Sequence, residues 1–286
     1  MKIQKNLLRW FTLVVLLCVG AIAFKMQSLS HWSVEMERKM AVGLPDHLQQ
    51  PVLFAELARS KADFEAVFAG PAQQKSEGAE KSDVELLAES VSYDWYFIAF
   101  YTALLLLLGL RGWQRQPRPC YALALLVLPL VICLCDVMEN LGILQALKAL
   151  DGPALTDGMV SATRRWSMTK WQLFFLDLLL IAQSLVGTGV KKSRPFPLVL
   201  RRATALLLAL GALVGLLGVL WPQVIASGFC IGMLAMLPLL LLIVFPDQVW
   251  GGPQAADPAD DGGGHLHASE PAPAPAAASA TEYASQ

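Results

Sequence analysis

The chain has 286 residues, of which 55% are apolar and only 16% charged. Soluble domains carry about 25% charged residues, so a water-soluble globule is excluded. A net charge of −1 likewise excludes a strongly basic, nucleic-acid-binding surface.

Six apolar stretches approach the length of about 20 residues that a helix needs to cross a bilayer. They fall at 7–24, 94–112, 121–147, 171–190, 203–221 and 224–246. They predict an all-α polytopic membrane bundle.

The first stretch follows Lys2, Lys5 and Arg9 and ends near Ala21-Ile22-Ala23. It reads as a retained anchor, with a cleaved signal segment as the alternative. Residues 25–93 form a long polar insertion in which acids outnumber bases. Within it, 52–58 and 64–68 repeat apolar positions at three and four residues and read as short amphipathic helices. The stretch 70–83 reads as a mobile connector, and 84–92 continues helically into the second span.

The basic residues set a topology. Lys2, Lys5 and Arg9, then Arg111, Arg115 and Arg118, then Lys191, Lys192, Arg194, Arg201 and Arg202 lie in three segments without an acid. The positive-inside rule places all three in the cytoplasm. Both termini are then cytoplasmic, 25–93 is extracytoplasmic, and the expected location is a bacterial inner membrane. The organisation expected is an anchor at 1–24, an extracytoplasmic helical loop at 25–93, a five-helix membrane bundle at 94–246, and a disordered cytoplasmic tail at 247–286. The tail is rich in Gly, Pro and Ala and cannot bury a core. His265 and His267 within it define no metal site.

Charged residues inside the spans carry the functional signal. A carboxylate at a helix centre costs about 2.5–3.5 kcal/mol on insertion scales, and such residues mark function by default. Asp136, Glu139 and Asn140 sit at i, i+3 and i+4 on the third span, hence on one face. Asp94 and Tyr101 share a face of the second span, and Lys170 and Asp177 share a face of the fourth. By depth, all seven are expected to meet in the outer half of the membrane, with Arg164 and Arg165 closing the mouth. Asp94 alone also suits a helix N-cap. The bland alternative is a polar lock between helices, although such contacts average only about 0.6 kcal/mol.

Other features carry less. No His lies in spans two to six, which argues against a His-ligated zinc site, and no metal or other cofactor is implied. A set of Asp94, Asp136, Glu139 and Asp177 would suit a hard cation, but the spacing does not demand one. Cys18, Cys120, Cys133, Cys135 and Cys230 imply no disulfide framework. Gly211-x-x-x-Gly215 with Gly218 allows close approach of the fifth and sixth spans, or dimerisation. Pro129 and Pro238 are expected kinks, and Gln183 is a lone polar residue further along the fourth span.

The segments Phe54-Ala55-Glu56-Leu57-Ala58, Asp94-Trp95-Tyr96-Phe97 with Tyr101, Asp136-Val137-Met138-Glu139-Asn140 and Lys170-Trp171 resemble a loose group of uncharacterised bacterial multi-pass membrane proteins. The resemblance covers about 52–190 and implies no activity or cofactor. It supports the choice of site residues alone. Three functions remain open at this level. One is binding of a lipid headgroup, polar solute or ion in an outward-facing pocket. The second is an enzyme acting on a lipid or isoprenoid, with Asp136 or Glu139 as acid/base and Lys170 as stabiliser. The third is a structural protein whose loop 25–93 engages an extracytoplasmic protein partner. Membrane lipids are the expected surroundings, and homo-oligomerisation stays undecided.

Overall fold

The computed structural model describes residues 2–29, 32–33, 36, 39, 50–75, 80–113, 119–150, 152, 154–186 and 195–244. Among these the regular elements are all helical. The α-helices are α1 (Lys2–Ser28), α2 (Pro51–Leu57), α3 (Lys61–Phe68), α4 (Asp83–Trp113), α5 (Pro119–Lys148), α6 (Asp157–Val186), α7 (Pro195–Leu216), α8 (Val224–Leu234) and α9 (Met236–Val244), with 3-10 turns at Gly70–Gln73 and Leu217–Val219. Arg115, Arg118, Lys191, Lys192, Arg194, His265, His267 and the tail 247–286 lie outside the described residues.

Five helices, α1 and α4 to α7, are long and apolar enough to cross a membrane. Their outward faces stay apolar: α5 exposes Leu123, Leu130 and Leu134, and α7 exposes Leu206 and Leu213. Exposed apolar belts of this kind belong in lipid, not water. The chain is a polytopic helical membrane protein.

The sixth apolar stretch differs from its expected form. It divides at Ala235 into α8 and α9. Pro238 explains the break, because it supplies no N–H to the turn before it and its ring crowds the carbonyl four residues back. Residues 224–244 still amount to about 30 Å of helix at 1.5 Å per residue, the thickness of a hydrocarbon core.

Neighbours in sequence are neighbours in space. α5 packs between α4 and α6, α7 packs on α6 and α8, and α1 packs on α4 and α9. The bundle is drawn tight by glycine. Gly211 and Gly215 of α7 meet Gly228 and Gly232 of α8, so the Gly-x-x-x-Gly pattern serves packing inside the chain. A Cβ on Gly228 would sit 2.5 Å from the Gly215 Cα, and on Gly211 2.6 Å from the Gly232 nitrogen. Backbone cannot yield as a side-chain tip can. Gly228→Ala should therefore cost about 1–3 kcal/mol as overpacking, read as a lower thermal midpoint of the purified protein. Gly20→Ala, whose Cβ would meet nothing within 4 Å, should keep the midpoint or raise it slightly, since Ala favours helix over Gly, and serves as the control.

Pro129 lies inside α5, buried, without ending the helix. It leaves the Leu125 carbonyl without its usual i+4 donor. Gly109 of α4 lies against that same carbonyl, so closely that any Cβ there would overlap it.

α2 and α3 form a small helical layer with its own aromatic core. Phe64 and Phe68 rings are 4.8 Å apart, and Phe54 lies 6.0 Å from Phe68. Ser60 caps α3 by accepting from the Asp63 N–H at 3.1 Å. The layer packs on α6, where the Lys61 N–H donates to Asp157 at 2.7 Å. The layer thus covers this part of α6 and makes it the capped end of the bundle.

Candidate functional site

The site is built from one face each of α4, α5 and α6, with α2 laid across them. α4 begins earlier than its apolar run. Ser82 and Glu85 form a capping box: the Glu85 N–H donates to the Ser82 hydroxyl at 3.2 Å, and the Ser82 N–H to the Glu85 carboxylate at 2.8 Å. Asp94 is thus three turns inside the helix and is not an N-cap. It faces α5, as does Tyr101 seven residues on. Asn140 donates to Asp94 at 2.7 Å, and the Tyr101 hydroxyl donates to Asp136 at 2.6 Å.

On α5, Asp136, Glu139 and Asn140 are all buried, at 4%, 1% and 2% exposure, while Met138 between them looks outward. The i, i+3, i+4 spacing has placed them on one face as helical geometry requires. Lys170 of α6 reaches across to that face. Its ammonium donates to Glu139 at 2.6 Å and to Asp136 at 3.0 Å. Its third near neighbour is Glu56 of α2, at 3.6 Å.

Glu56 joins the cluster although helical spacing within the spans does not single it out. It is buried, and the same carboxylate oxygen that faces Lys170 accepts from Trp171 at 3.0 Å and from Ser167 at 3.2 Å. Its signal in the sequence is small: a single charge within the apolar run 51–58. Residues from the segments 54–58, 94–101, 136–140 and 170–171 therefore come together in one cluster.

Asp177 does not join them. It is fully buried, yet neither carboxylate oxygen has a hydrogen-bond partner among the described residues. The depth estimate failed because α6 starts at Asp157, well before the apolar run. Lys170 is already level with Glu139, and Asp177 lies two turns, about 10 Å, further along. Replacing Asp177 by Leu should raise stability by about 1–3 kcal/mol, since a buried polar group without a partner is a net cost. A lowered thermal midpoint would reveal a partner for it.

Arg164 is likewise placed differently. Its guanidinium donates to the Leu57 carbonyl, at the C-terminal end of α2. It thereby fastens the helix that carries Glu56, while Arg165 is exposed. Gln183 points out of the bundle and extends no polar path inward.

Among the described residues no group of His, Cys, Asp and Glu is arranged as metal ligands. Lys170 explains why for Asp136 and Glu139: its ammonium already occupies the point between them where a cation would sit. The cysteines are free.

A cavity of about 150 Å³ lies against the cluster. Its polar wall comprises Glu56, Ser90, Asp94, Tyr101, Asp136, Asn140 and Lys170. Glu139 stands behind Lys170 and does not line it, so Asp136 is the carboxylate of that pair that an occupant would meet. The remaining wall is apolar, with Val19 and Met26 of α1, Leu104 and Leu105 of α4, Leu178 of α6 and Met233 and Met236 at the α8–α9 break. A second cavity of about 470 Å³ shares Met26, Val52, Glu56, Ser90, Phe97, Trp171 and Phe229 with the first and continues beneath α2.

No protein-family model, no curated protein and no solved structure matches the chain.

Proposed function

We propose that the protein binds a membrane amphiphile, with its polar head at the Lys170 cluster and its chain along the apolar wall. One observation carries this reading: a buried, hydrogen-bonded charge cluster forms one side of a cavity whose other sides are hydrocarbon. A lock between helices needs no such space beside it. An ion alone would leave the apolar part of the cavity without purpose. A mixed wall suits a molecule that is itself mixed, and small-molecule sites are commonly mostly apolar with a few fixed polar groups.

The test is occupancy. Protein extracted from its membrane in mild detergent should carry one class of lipid or amphiphile in stoichiometric amount, read by mass spectrometry of an organic extract. Ser90 is a small side chain in the wall of both cavities. Ser90→Phe should fill the space and abolish the co-purifying species while the protein still accumulates. Equal retention by both forms would mean that the lipid rides on the outer surface and that the cavity is not a binding site.

The location proposed is a bacterial inner membrane, with the capped end extracytoplasmic and both termini cytoplasmic. The acid-free basic segments support this orientation. Reporters fused near residues 75, 115 and 250 should be active on the outer, inner and inner side respectively. An outward reporter at 115 would overturn the arrangement.

A further inference from the structure

Resting on that reading, we infer that the amphiphile's head carries an amine. The argument is a balance of donors and acceptors in the cavity wall. Lys170 brings the wall's ammonium, and it is directed at Glu139, Asp136 and Glu56. Two of its three protons are thereby given to Glu139 and Asp136, and its charge is shared with Glu56 at 3.6 Å. An anionic head, a phosphate or a carboxylate, would have to pull Lys170 away from buried carboxylates, which are costly to leave uncompensated.

Most other donors around it are engaged with carboxylates as well. Tyr101 donates to Asp136, Asn140 to Asp94, and Trp171 and Ser167 to Glu56. Acceptors are in surplus. Three carboxylates line the cavity, those of Glu56, Asp94 and Asp136, against one ammonium. Among the described residues Asp94 accepts from Asn140 through one of its two oxygens, and a carboxylate has room for several donors.

A second observation marks the same place as a ligand site. Ser90 is 4% exposed, lines both cavities, and has no hydrogen-bond partner among the described residues. A hydroxyl in a cavity wall with no protein partner is a place for a ligand's polar atom, and it serves an amine as an acceptor. It lies four residues before Asp94 on α4, hence one turn along the same face.

A third is the aromatic wall. Phe97, Tyr101, Trp171, Phe174 and Phe229 all border the cavity, and Trp171, Phe174 and Phe229 are in mutual ring contact at 5.8–6.2 Å. Ring faces attract cations and repel anions. Lys170 already uses one of them, 4.8 Å from the Trp171 centroid. Surplus carboxylates beside aromatic faces and hydrocarbon select an ammonium on a chain. A free long-chain amine and an amine-headed phospholipid present the same chemistry.

The experiment uses the full chain in phosphatidylcholine nanodiscs and reads quenching of tryptophan emission by brominated probes. The probes are 11-bromoundecylamine, 11-bromoundecanol, 11-bromoundecanoic acid, and phosphatidylethanolamine with brominated chains. The saturable part of the quenching, which Ser90→Phe removes, reports the cavity. Bromoundecylamine should saturate it at a concentration at least about tenfold below the alcohol, as expected of a charge-assisted hydrogen bond over a neutral one, and the acid should be weaker still. Saturation by the phospholipid as well would name a lipid as the source; saturation by the amine alone would name a single-chain amine. Asp94→Asn should shrink the preference for amine over alcohol by at least about threefold, while the alcohol binds as before. The comparison among probes needs no variant and stands even if Asp94→Asn fails to fold. Alcohol or acid binding as tightly as the amine would overturn the amine assignment and leave the pocket intact. No saturable quenching by any probe would remove the binding site itself.

Discussion

Lys170→Met should destabilise the bundle by about 3–5 kcal/mol, the cost of breaking a buried ion pair from one side. Its ammonium stands 2.6 Å from Glu139 and 3.0 Å from Asp136, with all three residues buried. Methionine fills the space of the lysine stem but leaves two carboxylates one helical turn apart and a third, Glu56, 3.6 Å from where the charge had been. One Glu139 oxygen already lacks a partner among the described residues, so the substitution would strip the other as well.

The companion variants decide whether the loss is electrostatic. Glu139→Gln alone should cost less, because Lys170 keeps Asp136 and Glu56. Combined with Lys170→Met, it should cost less than the two added together, since each single change strands a charge that the double change removes. The measurement is the thermal or denaturant midpoint of purified protein for the four members of the cycle. Strict additivity would mean that the two groups do not interact and that the cluster does not exist as described.

The helical period made α5 legible. Asp136, Glu139 and Asn140 share a face at any helix phase, so their meeting with a partner helix followed from spacing alone. Asp94 with Tyr101 and the reach of Lys170 followed in the same way. Depth was harder, because an apolar run is not a helix. α6 starts at Asp157 among polar residues, and measuring from the apolar run placed Asp177 too near the end. α4 was shifted for the same reason: its start at Asp83 turns Asp94 from a cap into an interior residue. Glu56 was hardest, for its contacts with Ser167, Lys170 and Trp171 span more than a hundred residues of chain. No local period encodes a contact of that range. Only its isolation in an apolar helix marked it, and Ser90, set between Glu89 and Ser92 in the polar start of α4, had no such mark.

The largest functional effect is expected from the carboxylates. Asp136→Asn and Glu139→Gln keep size and much of the hydrogen bonding, yet remove the charges that hold Lys170 in place. If the cluster serves a bound molecule, the double variant should accumulate in the membrane almost as the parent does. It should then fail to restore whatever a deletion strain has lost, and should lose the co-purifying amphiphile. Relief of repulsion between two carboxylates one turn apart offsets part of the lost pairing with Lys170, which is why abundance should hold. A polar lock gives the reverse pattern: abundance falls, and activity falls only in proportion to it. Abundance, retained amphiphile and complementation must therefore be measured on the same membranes. Full complementation with both carboxylates neutralised would remove the cluster from function. It would turn attention to the α2–α3 layer, which Arg164 and Asp157 fasten to α6 at Leu57 and Lys61 and which would then be the surface that meets a partner.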